Sequence, residues 1–415
     1  MKLKTALMAT ALTGVAFAAQ AQEITVMSWG GAYTKSQVEA YHKPFTATTN
    51  IKVNSVDADN PATPIKAQVE AYHKPFTATT NIKVNSVDAD NPATPIKAQV
   101  EAGNVSIDVA DVEFSDAVRL CDEGLLEPID HAMLPAAPDG TPATEDFIEG
   151  ALQDCAVANI VWSTVYAYNS KNVSGTPTTI ADFFDTAKFP GKRGLRKSAK
   201  ATLEMALMAD GVPAAEVYDV LDTDAGVDRA FAKLDSIKSD IVWWEAGAQP
   251  PQLLADGEVV MSTAYNGRIF NAAVAENQPL EVVWDGQILD FDLFVVPKGA
   301  PNKDAAMQFI AFSTDTQRLA DQASWISYGP ARKSSGALVG KYSDGKTEMA
   351  PHMPTAAANL TNALVNNFEF WVDKDAELNE RFNAWLAQSA ISRKTGPALL
   401  APPPQRVGPW PAPHR

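Results

Sequence analysis

Sulfur and imidazole are scarce in this chain. Its 415 residues include two cysteines and five histidines, and neither type shows the paired spacing that builds a zinc site. His42 and His73 are copies of each other, and His414 lies in an atypical tail. His131 and His352 have no partner motif, and there is no G-x-S-x-G elbow. The common serine-hydrolase arrangement is therefore missing. Basic residues are also short: 34 Lys and Arg face 50 Asp and Glu, a net charge of -16. Such a surface repels nucleic acid and attracts cations. Beyond the first residues, no run is long and apolar enough to cross a bilayer.

What the N-terminus does have is the pattern of a secretory leader. Lys2 and Lys4 precede the uncharged, mostly apolar stretch Thr5 to Phe17, and Ala19-Gln20-Ala21 supplies small-x-small. Cleavage is expected after Ala21. The apolar run is shorter than the roughly 20 residues a membrane span needs, and no lipobox cysteine follows. An exported chain meets an oxidising compartment, where Cys121 and Cys155 can form one disulfide; two buried thiols are the alternative. The length fits two lobes better than one.

One segment is repeated letter for letter. QVEAYHKPFTATTNIKVNSVDADNPATPIKA spans Gln37 to Ala67 and recurs from Gln68 to Ala98, and a third QVEA starts at Gln99. Solenoid repeats diverge and stack in threes or more, so two identical copies point to a recent duplication without a functional role. Each copy reads as helix, strand and helix start, with Pro44 expected to kink or end the first helix. The strands starting at Ile51 and Ile82 are identical and compete for one place in a sheet. At the other end, the segment after Gln388 is proline-rich and has no acid. It is expected to be extended or disordered.

Between these features, strand and helix patterns alternate. Ile24 and Val26 form a first strand, and Val105, Ile107 and Val109 lead into another. Ile160 to Tyr168, Ile241 to Trp244, Val259 to Ala264, Val282 to Trp284 and Leu293 to Val296 also read as strands. Ile180 to Phe184, Ala201 to Ala209, Gln249 to Ala255, Lys303 to Phe312 and Phe368 to Ala387 read as helices. The alternation predicts an α/β fold with a largely parallel sheet covered by helices on both faces.

Four segments in order resemble the spermidine/putrescine-binding family of periplasmic receptors, the extracellular solute-binding proteins of ABC transporters. They are EITVMSWGGAYTKS, SIDVADVEFSDAVRLCDEGLLEPID, LLADGEVVMSTAYNGRIF and the long block from DFDLFVVPKG to SYGPAR. The resemblance runs from about Glu23 to Ala387. It implies a type II-like periplasmic binding fold: two α/β lobes joined by crossing strands, with the ligand between them. On that template residues 22–166 begin lobe 1, 167–289 begin lobe 2, 290–325 return to lobe 1, and 326–388 complete lobe 2. Residues 1–21 are the leader and 389–415 the tail. The crossings are expected near Tyr166 to Asn169 and Trp284 to Asp290.

The resemblance also implies an amine ligand, held by aromatic faces and carboxylates. Position in motif assigns Trp29, Tyr33, Glu113, Tyr265, Asp290 and Asp292 to the cleft, and Trp244 adds an aromatic candidate. Two features depart from a polyamine site. The run Leu195-Arg196-Lys197-Ser198-Ala199 is basic, and Arg268 follows Tyr265-Asn266-Gly267. A guanidinium beside aspartates suits a zwitterion such as γ-aminobutyrate. The expected partners are a small amine and an ABC import permease, with no cofactor, no metal, no nucleic acid and a monomeric chain. A ferric-ion or anion receptor on the same scaffold, and an exported hydrolase, are the alternatives.

Overall fold

The computed structural model describes residues 23–49, 51–57 and 92–394. The leader, the strand starting at Ile82 and the tail beyond Lys394 lie outside the described residues. Among the described residues eleven strands form one sheet: β1 (Glu23–Ser28), β2 (Lys52–Asp57), β3 (Val109–Glu113), β4 (Leu152–Gln153), β5 (Ala156–Asn169), β6 (Arg193–Arg196), β7 (Ile241–Trp244), β8 (Met261–Tyr265), β9 (Leu280–Val295), β10 (Gly329–Pro330) and β11 (Leu364–Val365). The main path runs β2-β1-β3-β9-β5-β8-β6-β7.

The sheet is mixed, which corrects the expectation of a largely parallel one. β1 pairs in parallel with β2 and β3, and β6 pairs in parallel with β7 and β8. At the centre, β5 and β9 are antiparallel to each other, and β3 and β8 flank them antiparallel. Helix-strand alternation reports crossover helices, which pair strands in parallel. It carries no signal for two long strands running past each other. β9 was also expected as two separate strands. Asp285-Gly286 and the aspartates at 290 and 292 interrupt its apolar pattern, and Gly286 takes φ 74° within the strand.

Two cores share these central strands. Ile24, Val109, Ala158, Leu293 and Phe309 belong to one, and Tyr166, Leu207, Met261, Ile288 and Trp371 to the other. Along β5 the change falls between Ala158 and Tyr166, and along β9 between Ile288 and Leu293. Register shifts at Ala158/Ile160 and Thr164/Tyr166 bracket it. Ala331 sits in the first core, and Arg332 pairs with Asp146 at 3.2 Å. Cys121 and Cys155 form a disulfide with a Cα separation of 5.8 Å.

Both ends of the duplicated region find a place. An unbroken helical run, Gly31–Gln37, Val38–His42 and Lys43–Thr49, leads from unique sequence into the first copy. Pro44 does not end it. The Val38–His42 turn is a π-helix, and its wider winding relieves the contact between a proline ring and the preceding turn. Tyr41 and Phe45 from this helix are buried in the first core. The first copy's strand docks as β2 at the sheet edge. The second copy supplies the start of the helix Ala93–Glu101. The extra length thus falls between β2 and that helix. The last helix, Phe368–Lys394, runs past the Gln388 at which the tail was expected to begin. Gly396-Pro397 is the first strong stop after it.

Removing residues 58–88 gives the same chain as removing 68–98, with Ala89-Asp90-Asn91 joining β2 to the next helix. Shortening that connection should stabilise the fold by about 2 kcal/mol through loop entropy. The expected result is a higher urea midpoint and unchanged ligand affinity. Loss of binding, or a lower midpoint, would show that the second copy is integral.

Candidate functional site

The cleft between the two cores collects the carboxyl ends of parallel strands from both lobes. Trp29 follows β1, Glu113 ends β3, Arg196 ends β6, Glu245 follows β7 and Tyr265 ends β8. Strand ends of this kind are where open α/β sheets place ligands. The cavity between these residues encloses about 470 Å³ of empty space, part of it open to solvent.

Its walls are aromatic. Tyr33 meets Tyr328 edge to face at 5.4 Å, and Trp162 meets Tyr265 at 5.0 Å. Tyr33 is held by its hydroxyl, which donates to Asp111 Oδ2 at 2.8 Å; Asn159 Nδ2 donates to the same oxygen at 3.0 Å, and Gln37 does too. Burial raises the Asp111 carboxyl, these donors oppose the rise, and it stands at about 6. Trp244 is 1 % exposed and does not line the cavity. It backs Tyr265 at 5.6 Å. Tyr265 can approach the chain closely because residue 247 is glycine: a Cβ there would lie 2.7 Å from the Tyr265 ring.

The acids divide into two kinds. Asp292, 5 % exposed, lines the cavity and accepts a hydrogen bond from Trp162 Nε1 at 2.8 Å. Burial foremost, then the charges of Asp111, Glu113 and Asp290, hold its carboxyl well above the ordinary range. Glu113 is its register partner on β3. Burial pushes Glu113 up, but Lys200 and Arg196 outweigh it and bring the carboxyl down to about 2. Lys200 Nζ lies 3.0 Å from Glu113 and 2.7 Å from Asp290, and Arg196 lies 3.5 Å from Glu113. Asp290 lines a smaller recess beside the main cavity.

Arg268 reaches from the helix Asn266–Phe270 across the cleft and donates to the Trp29 carbonyl at 2.9 Å. The turn that receives it needs Gly31, whose φ is 57°; a Cβ there would collide with the Arg268 guanidinium. Arg268 thus ties its helix to the turn after β1, and Arg196 and Lys200 tie the end of β6 and the residues after it to Glu113 on β3.

Of the eight residues assigned from sequence, Trp29, Tyr33, Glu113, Tyr265, Arg268 and Asp292 line one cavity, and Asp290 and Trp244 lie beside it. Sequence reasoning missed Trp162, Arg196, Glu245 and Tyr328 as lining residues. Glu245 had a readable signal, its place just after the predicted strand Ile241 to Trp244, and Arg196 stood in the basic run 195–199, at the end of a strand that patterning did not foretell. Trp162 had none, because it sits inside an apolar strand.

Residues 71–355 match the bacterial extracellular solute-binding proteins. The chain belongs to that family. The match begins within the second copy of the repeat, as identical copies allow. Members bind small-molecule ligands and deliver them to an ABC permease, and this chain is a binding protein and not an enzyme. It is 44% identical over 381 residues to the gamma-aminobutyric acid-binding protein of Pseudomonas aeruginosa, covering 91% of this chain and 96% of that one. A solved GABA receptor aligns with a TM-score of 0.68 at 33% identity, over 88% of this chain and 98% of its own. The spermidine/putrescine-binding protein of Streptococcus pneumoniae shares the fold, with a TM-score of 0.61 at 16% identity over 88% of this chain and 99% of its own. Among the described residues, no helix is long and apolar enough to cross a membrane.

Proposed function

We propose that this protein binds a zwitterionic ω-amino acid, γ-aminobutyrate foremost, and delivers it to an ABC import permease. The observation that carries the reading is that opposite charges line one aromatic cavity, Asp292 together with the guanidinium groups of Arg268 and Arg196. Asp292 takes the ligand ammonium, with Trp29, Tyr33, Trp162 and Tyr265 as a cation-π surround. The guanidinium side takes the carboxylate. The 44% identity to a gamma-aminobutyric acid-binding protein supports the same ligand. Trp244 shapes the site through Tyr265, and Asp290 through Lys200. The protein acts in the periplasm as a monomer, after cleavage following Ala21, and has no nucleic-acid partner.

Arg268→Ala is the test. At a hundredfold excess over its Kd, γ-aminobutyrate should stabilise the wild type by about 2.7 kcal/mol in a melting experiment. The variant should lose roughly 2 to 5 kcal/mol of binding to the amino acid, and far less to putrescine, which has no carboxylate. Equal losses for both ligands would make Arg268 a structural residue. A wild type that prefers putrescine or spermidine would return the site to the polyamine kind.

A further inference from the structure

We propose that Lys200 is a resident ammonium that sets ligand specificity: its Nζ fills the place a second ligand ammonium would take, so the cleft accepts a monoamine and rejects a diamine. The inference rests on the reading of the cavity as an amine site.

Four carboxylates border the two recesses of the cleft, Glu113, Glu245 and Asp292 in the larger and Asp290 in the smaller, and Glu245 pairs with Lys197 at 2.8 Å. Lys200 is 8 % exposed and bridges two of them, at 3.0 Å to Glu113 Oε2 and 2.7 Å to Asp290 Oδ2. Burial works against its charge, but the two carboxylates outweigh that and hold its pKa well above the ordinary lysine value. Asp292 has the Trp162 indole as donor and pairs with no lysine or arginine among the described residues. One acid is therefore left for one ligand ammonium.

The geometry of a diamine site is nevertheless present. Asp290 and Asp292 lie two residues apart on β9 and so on one face of the strand, about 7 Å apart along it. The smaller recess shares Trp162 and Arg196 with the main cavity, and Lys200 projects into it. A short diamine with one end at Asp292 would direct its other end there and meet the lysine. The backbone marks the position as held in place. Ala201, the next residue, also lines the recess and takes φ 67°, a left-handed conformation unusual for any residue but glycine. Strain of this kind persists where surrounding contacts fix it, and it gathers at ligand sites.

Lys200→Met removes the charge and keeps an apolar stem of similar length. Calorimetric titration with putrescine and with γ-aminobutyrate is the measurement. The variant should gain putrescine affinity by about tenfold or more, as expected for a freed pair of partly buried carboxylates. The ratio of putrescine to γ-aminobutyrate affinity, which the proposal turns on, should rise by about tenfold or more. The double variant Lys200→Met/Asp290→Asn should lose the putrescine gain. Lys200→Gln serves if Met does not fold, and refolding either variant in putrescine should then restore the native circular dichroism spectrum. The proposal is overturned if folded variants keep the wild-type ratio of the two affinities, or if diamine does not rescue variants that fail to fold. Failure of the underlying amine reading is seen separately, as absence of γ-aminobutyrate binding to the wild type.

Discussion

Asp292→Asn is expected to weaken γ-aminobutyrate binding by about 100- to 1,000-fold, the loss that follows truncation of a buried charged partner. The unliganded variant should be at least as stable as the wild type. Asparagine keeps the shape and can still accept the Trp162 indole hydrogen bond now made to Oδ1 at 2.8 Å. What it removes is a charge pressed by burial and by Asp111, Glu113 and Asp290. A site residue that binds an ion through an unpaired buried charge destabilises the empty protein, and the ligand offsets this.

The pH dependence follows from the same shift. The folded pKa of Asp292 lies above its unfolded one, so as pH rises from about 4 the unfolded chain loses this proton first. Stability due to this group therefore falls as pH rises through that window. The advantage of Asp292→Asn over the wild type should grow as pH rises above about 4 and vanish below about pH 4. A uniform loss of stability at all pH values, with binding intact, would remove Asp292 from the ligand site.

Replacing both Cys121 and Cys155 by alanine should lower stability by about 3 to 4 kcal/mol, the entropy of closing a loop over 34 positions. The loop ties the helix Phe114–Asp122 to the start of β5, within the first core. Trp29, Tyr33, Trp162, Arg196, Tyr265, Arg268 and Asp292 all lie outside it. Affinity measured on folded protein should therefore hold, while the denaturant midpoint falls. A midpoint unchanged by the replacement would mean that the covalent link adds nothing to this lobe.

Local patterning foretold most of the longer strands and several helices, but not β6 or the helices Phe114–Asp122, Asp224–Asp235 and Thr316–Ala323. Ile24 and Val26, Ile241 to Trp244 and Gln249 to Ala255 stand where their periodicity placed them. It did not foretell β9, because the residues that break its apolar pattern are those that make the site. Asp290 and Asp292 are charged within a central strand, a place that local rules give to apolar side chains. The adjacent Trp243 and Trp244 illustrate a second limit. Alternation along a strand sends them to opposite faces, yet neither enters the cavity: Trp243 packs on Phe382 and Trp385, and Trp244 on Tyr265. Lys200 shows a third. In sequence it continues a basic run, and only the fold brings it between Glu113 and Asp290, 87 and 90 residues away.

The central claim is that one cavity reads an ammonium and a carboxylate together. Calorimetric titration of ligand-free wild-type protein with γ-aminobutyrate and with putrescine, in the same buffer, tests it most directly. The account predicts a 1:1 complex with γ-aminobutyrate that is clearly tighter than any complex with putrescine. No binding of γ-aminobutyrate, or tighter binding of putrescine, would contradict it.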